Sequence, residues 1–140
     1  MTRIDFHSKV EDKLLYTCRL IRKARAANSR VVVLGERTEL DQLDQALWEF
    51  SATDFLPHVW LNNELANQTP ILFMEDERVK PPHHDLLINL STHIPSSFAD
   101  YARLIEVVAD IEDELELART RFRHYKQQGL QPSHITAKTS

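Results

Sequence analysis

Five short apolar runs punctuate the chain: "RIDFHS" (3–8), "RVVVL" (30–34), "PILFM" (70–74), "DLLINL" (85–90) and "RLIEVVA" (103–109). "RVVVL" has no polar alternation, which reads as a central strand covered on both faces, and Gly35 ends it. Between the strands the period changes. Val10, Leu14, Cys18 and Ile21 are spaced by four, four and three, one buried helical stripe, with Ser8 and Glu11 in the form of a capping box at its start. Asn28 stands where a left-handed cap is common. A second helix starts about Thr38 and Asp41 and presents Leu40, Leu43 and Leu47, ending near Trp48. "SATDFLPH" (51–58) reads as a linker or edge region, because Pro57 pushes Leu56 towards extended geometry. A third helix runs from about Glu112 to Gln128, and a polar tail closes the chain.

Strands alternating with helices point to βαβ units. The expected fold is a single-domain, three-layer open α/β sheet, mostly parallel, with the domain over 1–130 and the tail over 131–140. A length of 140 residues suits one core. No apolar run reaches the roughly 20 residues of a membrane span, and the start "MTRIDFHSK" lacks a secretory pattern, so no membrane contact and a cytoplasmic location are expected. The lone Cys18 has no second cysteine to pair with and sits on an apolar stripe, where a buried structural thiol is expected.

Open parallel sheets often bind nucleotides, so a phosphate loop is the first chemistry to seek. The chain has two glycines, Gly35 and Gly129, too few for either a dinucleotide fingerprint or a GxxxxGK[ST] loop. The turn after "RVVVL" instead carries Glu36 and Arg37, and a carboxylate there repels phosphate. "HHD" (83–85) lacks the i, i+4 spacing of a helical zinc pair and reads as solvated loop histidines. His58 has no identifiable nucleophile beside it and reads as a histidine bonding its own loop. No catalytic residue, metal or cofactor is expected.

The remaining anomaly is "ARTRFRHYKQQG" (118–129), four basic side chains and two aromatics in a chain of net charge −4. At 100° per residue, Ile111, Leu115, Ala118, Phe122 and Tyr125 fall within about 80°, a stripe for docking on the sheet. Arg119, Arg123 and Lys126 line one flank and Arg121 falls on the other. Acids at 112–114 and 116 followed by bases are what the helix dipole favours, so a solvated face accounts for most of the charges. A row of cations beside an apolar edge also suits an acidic peptide ending in a hydrophobic residue.

"LDQALWEFSATDFLPH" (43–58), "LLINL" (86–90) and "ARTRFRHYKQQG", in that order, resemble the chi subunit family of the bacterial DNA polymerase III holoenzyme. The resemblance implies a non-catalytic α/β adaptor without a phosphate loop. One surface would hold the psi subunit as a heterodimer, connecting it to the clamp loader, and another the acidic C-terminal tail of single-stranded DNA-binding protein (SSB). Some members join a helicase through the psi-binding surface, and DNA is reached only indirectly. Carried over by motif, Arg119 would grip the tail's terminal carboxylate, Phe122 wall the pocket for its last phenylalanine, Arg123 meet its aspartates and Ile111 add apolar lining. Trp48 and Phe55 match the aromatics of the psi side, although core packing is the other reading of both. Two departures stand out. Phe122 replaces a more usual tyrosine, and "DIEDELEL" (110–117) carries acids where a cation would help hold an acidic tail. The alternatives are a small nucleotide-dependent enzyme on a Rossmann-like sheet, and direct nucleic-acid binding through the basic helix.

Overall fold

A computed structural model describes residues 2–50 and 55–137. Seven parallel strands form one sheet: β1 (Arg3–Val10), β2 (Val31–Leu34), β3 (His58–Trp60), β4 (Ile71–Met74), β5 (Leu86–Asn89), β6 (Arg103–Ala109) and β7 (Ser133–Thr136). Their spatial order is β3-β4-β2-β5-β6-β1-β7. The β-branched run of β2 therefore sits between β4 and β5 with all four residues buried, as a two-face strand requires.

Alternation along the strands divides the core into two layers. Val31, Val33, Ile71, Phe73, Ile88, Ile105 and Val107 face α1 (Lys13–Ala26) and α2 (Arg37–Phe50), meeting Cys18, Ile21, Leu40, Leu43 and Leu47. Ile4, Phe6, Val32, Leu34, Leu87, Leu104 and Val108 face the other way, towards Ala118 and Tyr125 of α3 (Glu112–Gln127). The three layers expected from strand and helix periods are thus present, and the sheet is wholly parallel. Asn28 takes the left-handed conformation at φ 61° just past α1.

Two expectations need correction. Ser8 does not cap α1: β1 continues through it to Val10, and Asp12 is the cap, its carboxylate accepting from the Leu15 amide. Residues 133–136 of the expected tail form β7, which pairs with β1 although all four side chains are exposed. It is tied down by polar contacts, because the Ser133 hydroxyl donates to Asp5 and Ser8 is hydrogen-bonded to His134. The edge region after α2 contains a short strand, β3, beginning at His58; residues 51–54 of the expected linker lie outside the described residues.

A groove under the basic helix and an exposed aromatic surface

The α3 stripe docks as its period requires. Tyr125 is fully buried, and the rings of Phe122 and Tyr125 lie 5.3 and 5.9 Å from that of Phe6 on β1. The basic residues then part company. On the helical wheel Arg121 lies about 40° beyond Tyr125, and there it is buried, its guanidinium 3.3 Å from the Glu106 carboxylate of β6. Glu106, with no exposed surface, also accepts from the Tyr125 hydroxyl and the Asn89 amide at 2.8 Å each. Burial pushes the Glu106 carboxyl up, and Arg121, Tyr125 and Asn89 pull against that. Burial and the neighbouring Glu106 both raise the Tyr125 hydroxyl, so it remains a donor. Arg121 also donates to the Thr92 carbonyl at 2.9 Å. It is a structural cation that sequence reasoning did not find.

Arg119 and Arg123 stay on the outer flank, where α3 overhangs β1 and β7. A groove of about 420 Å³ opens there. Phe6, Val108, Leu115, Ala118 and Phe122 make its apolar floor, and Lys9, Arg119 and Arg123 supply its charge. Ser8 and His134 form a polar wall on the sheet-edge side. Among the described residues no carboxylate lines it. Three of the four groove residues expected from sequence are brought together; Ile111 is not among the lining residues. Ile111 occupies the N-cap position with extended backbone, φ −130° and ψ 132°, so it leaves the helical stripe and is 57 % exposed. Lys9, Ser8 and His134 were missed because they come from the end of β1 and from β7. Arg119 has one carboxylate partner in its own helix, Glu112, at 3.5 Å, with both side chains largely exposed.

Trp48 near the end of α2 and Phe55 are 55 % and 81 % exposed, so core packing does not account for them. Trp48 leans on the His58 ring, 4.9 Å away. His58 is in turn fixed at both nitrogens, bonding the Leu56 carbonyl and the Asp44 carboxylate at 2.8 Å each. That is the loop-bonding role expected of it, and it seats the tryptophan on a rigid base.

Other candidate chemistry resolves structurally. His83 is buried rather than solvated, near the Thr69 carbonyl, while Asp85 pairs with Arg30 at 3.1 Å. Burial lowers the His83 pKa, which favours neutral imidazole. Cys18 is buried and its thiol is pushed up to about 11, mainly by burial. At the carboxyl ends of β2 and β5, the place where open parallel sheets take ligands, a cleft is lined by Glu36, Glu39 and Glu114 with Lys13 among them. Lys13 Nζ lies 3.4 Å from Glu39 and 3.2 Å from Glu114 and donates to the Leu90 carbonyl at 2.6 Å. A carboxylate stands against Gly35 where a phosphate cradle would need bare amides, since a Cβ there would lie 3.1 Å from Glu39 Oε1.

The fold is an open parallel α/β sheet with its own ion pairs across the cleft at the carboxyl ends of β2 and β5, and its surface carries a cation-rimmed apolar groove and the exposed aromatics Trp48 and Phe55. Residues 1–133 match the family described as "DNA polymerase III chi subunit, HolC", and the chain belongs to that family. It is 31 % identical over 136 residues to the DNA polymerase III subunit chi of Pseudomonas aeruginosa, covering 92 % of each chain. Against the Escherichia coli subunit chi the identity is 30 % over 142 residues, covering 98 % of this chain and 92 % of that one. The Haemophilus influenzae subunit is 25 % identical over 113 residues, 80 % of this chain and 78 % of that one. Membership assigns the chain to DNA replication, as a kind of DNA polymerase III subunit. No helix among the described residues is long and apolar enough to cross a membrane.

Proposed function

We propose that the chain is a non-catalytic cytoplasmic adaptor of the replicative polymerase, holding the acidic C-terminal tail of SSB in the α3 groove and the psi subunit on the Trp48/Phe55 surface. The observation that carries this is the groove itself. An apolar floor bordered by Lys9, Arg119 and Arg123, in a chain of net charge −4, is a local reversal of the molecule's charge. Bare single-stranded DNA would meet that net negative charge over the rest of the surface, whereas a short acidic peptide needs only the groove. The terminal ring of the tail would lie against Phe122 and Leu115, contributing roughly 1.5–3 kcal/mol by burial. Arg119 would pair with the terminal carboxylate and Arg123 with upstream acids, adding orientation, encounter rate and salt sensitivity. Phe122 supplies the wall without a hydroxyl. The exposed Trp48 and Phe55 have the size and apolar area of anchor residues at protein interfaces, which suits psi, or a helicase in its place.

Arg119→Ala should lose most affinity for a peptide ending in Asp-Phe or Pro-Phe, at least tenfold by calorimetry, with an unchanged melting midpoint. In pull-downs from cell extract the same variant should release SSB and retain psi. Unchanged peptide affinity would remove the tail from this groove.

A further inference from the structure

The end of β1 does something its sequence does not announce. His7 is opposite Val107 and Val10 opposite Ala109, so three steps along β1 match two along β6. One residue is inserted, a β-bulge. Lys9 lies in that interval with φ 57°, a left-handed conformation costly for a residue with a Cβ. Regular alternation would send Ser8 to the groove face, Lys9 to the α1 face and Val10 back to the groove face. The bulge changes the outcome: Ser8 and Lys9 both line the groove, and Val10 is buried in the layer under α1. A strained backbone at a ligand-facing position points from conformation to function.

Resting on the reading of the α3 groove as a site for an acidic C-terminal peptide, we propose that Lys9 is a specificity-determining residue of that site, placed by the bulge to read an acidic side chain upstream of the peptide's terminal residue. Three features carry the assignment. Lys9 stands on the strand side of the groove and Arg119 and Arg123 on the helix side, so the apolar floor lies between opposed cations. A peptide whose last ring occupies the floor then passes between charges on both sides, which selects for acids before the terminus and not only for a free carboxylate. The Lys9 side chain is exposed and, among the described residues, no carboxylate lines the groove beside it, so its charge is available to a ligand. The Ser8–His134 pair closes the same wall and ties it to β7, giving the position a fixed backing.

The test is a titration by fluorescence anisotropy at low salt of two labelled peptides, one ending in Asp-Asp-Pro-Phe and one in which both aspartates are asparagine. Lys9→Asn tolerates the left-handed backbone and removes the charge. It should weaken the acidic peptide about three- to fivefold, the scale of one exposed ion pair, and leave the asparagine peptide unchanged. Lys9→Arg should restore the wild-type preference. Equal weakening of both peptides, which would mean that the substitution only disturbs the wall, overturns the assignment; so does no change in either. If the wild-type protein binds neither peptide, the groove reading itself fails and the role of Lys9 with it. Binding that is lost in Arg119→Ala but insensitive to Lys9 removes Lys9 alone.

Discussion

The two flanks of α3 carry the same kind of side chain to opposite ends. Arg121 is buried against Glu106 and spends its charge inside the protein, whereas Arg119, two residues earlier, is mostly exposed over an apolar groove. What separates them is what lies beneath each flank. Under Arg121 is the middle of the sheet, where a carboxylate on β6 needs a countercharge; under Arg119 is the sheet edge, where β1 and β7 leave an opening. A cluster of basic residues on one helix is therefore not one functional unit.

The largest effect should come from breaking the inner flank. Arg121→Ala leaves Glu106 buried without its cation, a loss on the order of 3–5 kcal/mol for removing one member of a buried pair. Denaturant titration should show it as a lower midpoint at unchanged slope, with tail affinity of the folded fraction unaltered. Replacing both partners, Arg121→Met with Glu106→Gln, should recover much of the stability, because no unpaired charge then stays buried and the amide oxygen at 106 can still accept from the Tyr125 hydroxyl. A tail-binding defect in folded Arg121→Ala would erase the distinction between the flanks.

A smaller effect is expected where the outer flank meets the sheet edge. Asp5, with 2 % of its side chain exposed, accepts from Arg103 at 2.8 and 2.9 Å and from Ser133 of β7. Burial alone would raise its carboxyl, but the hydrogen bonds from Ser133 and Arg103 and the nearby arginine charges bring it below the ordinary value. A depressed folded-state pKa contributes stability above the unfolded value of about 3.9, and that contribution is lost as pH falls through the folded value. Asp5→Asn should thus cost about 2 kcal/mol near neutral pH, the scale of hydrogen bonds to a charged group. The gap to wild type should close in strongly acid solution. Amide exchange at 133–136 should rise in the variant before that of β2 and β5, if this carboxylate is what holds β7 and with it the groove wall.

The parts of the molecule governed by period were legible in the sequence, and the parts governed by a single backbone event were not. Leu40, Leu43 and Leu47 are all buried, as their spacing demands, and "RVVVL" is the covered strand its lack of polar alternation indicates. Phe6 and Val10, an even number of residues apart, belong on one face of a regular strand. They lie on opposite faces because one bulge residue intervenes, and Lys9 enters the groove by the same event. β7 has four exposed residues and no apolar alternation, so nothing in its pattern separates it from a tail; backbone pairing and the Asp5 and Ser8 contacts make it a strand. Arg121 did have a signal. Glu106 alternates with Leu104 and Val108 in an otherwise apolar strand, so an inward carboxylate was implied, and a buried carboxylate calls for a nearby cation.

The smallest effect sharpens the outer flank. Glu112 lies 3.5 Å from Arg119, seven residues and two turns away along α3, and is 76 % exposed at its side chain. It is one of the acids that the helix dipole favours in the first turn, yet it also pairs with the guanidinium that we propose takes the ligand's carboxylate. Any peptide bound through Arg119 must displace or share that contact. Glu112→Gln should therefore tighten tail binding by about twofold at low salt, the scale of an exposed ion pair, against a slightly weaker helix start. At roughly 1 M salt, where the screening length falls to about 3 Å, the two proteins should bind alike. A tightening that persists at high salt would mean that Glu112 acts by shape at the groove mouth rather than by competing for Arg119, and an affinity that falls would mean that Glu112 holds Arg119 in the orientation the ligand needs.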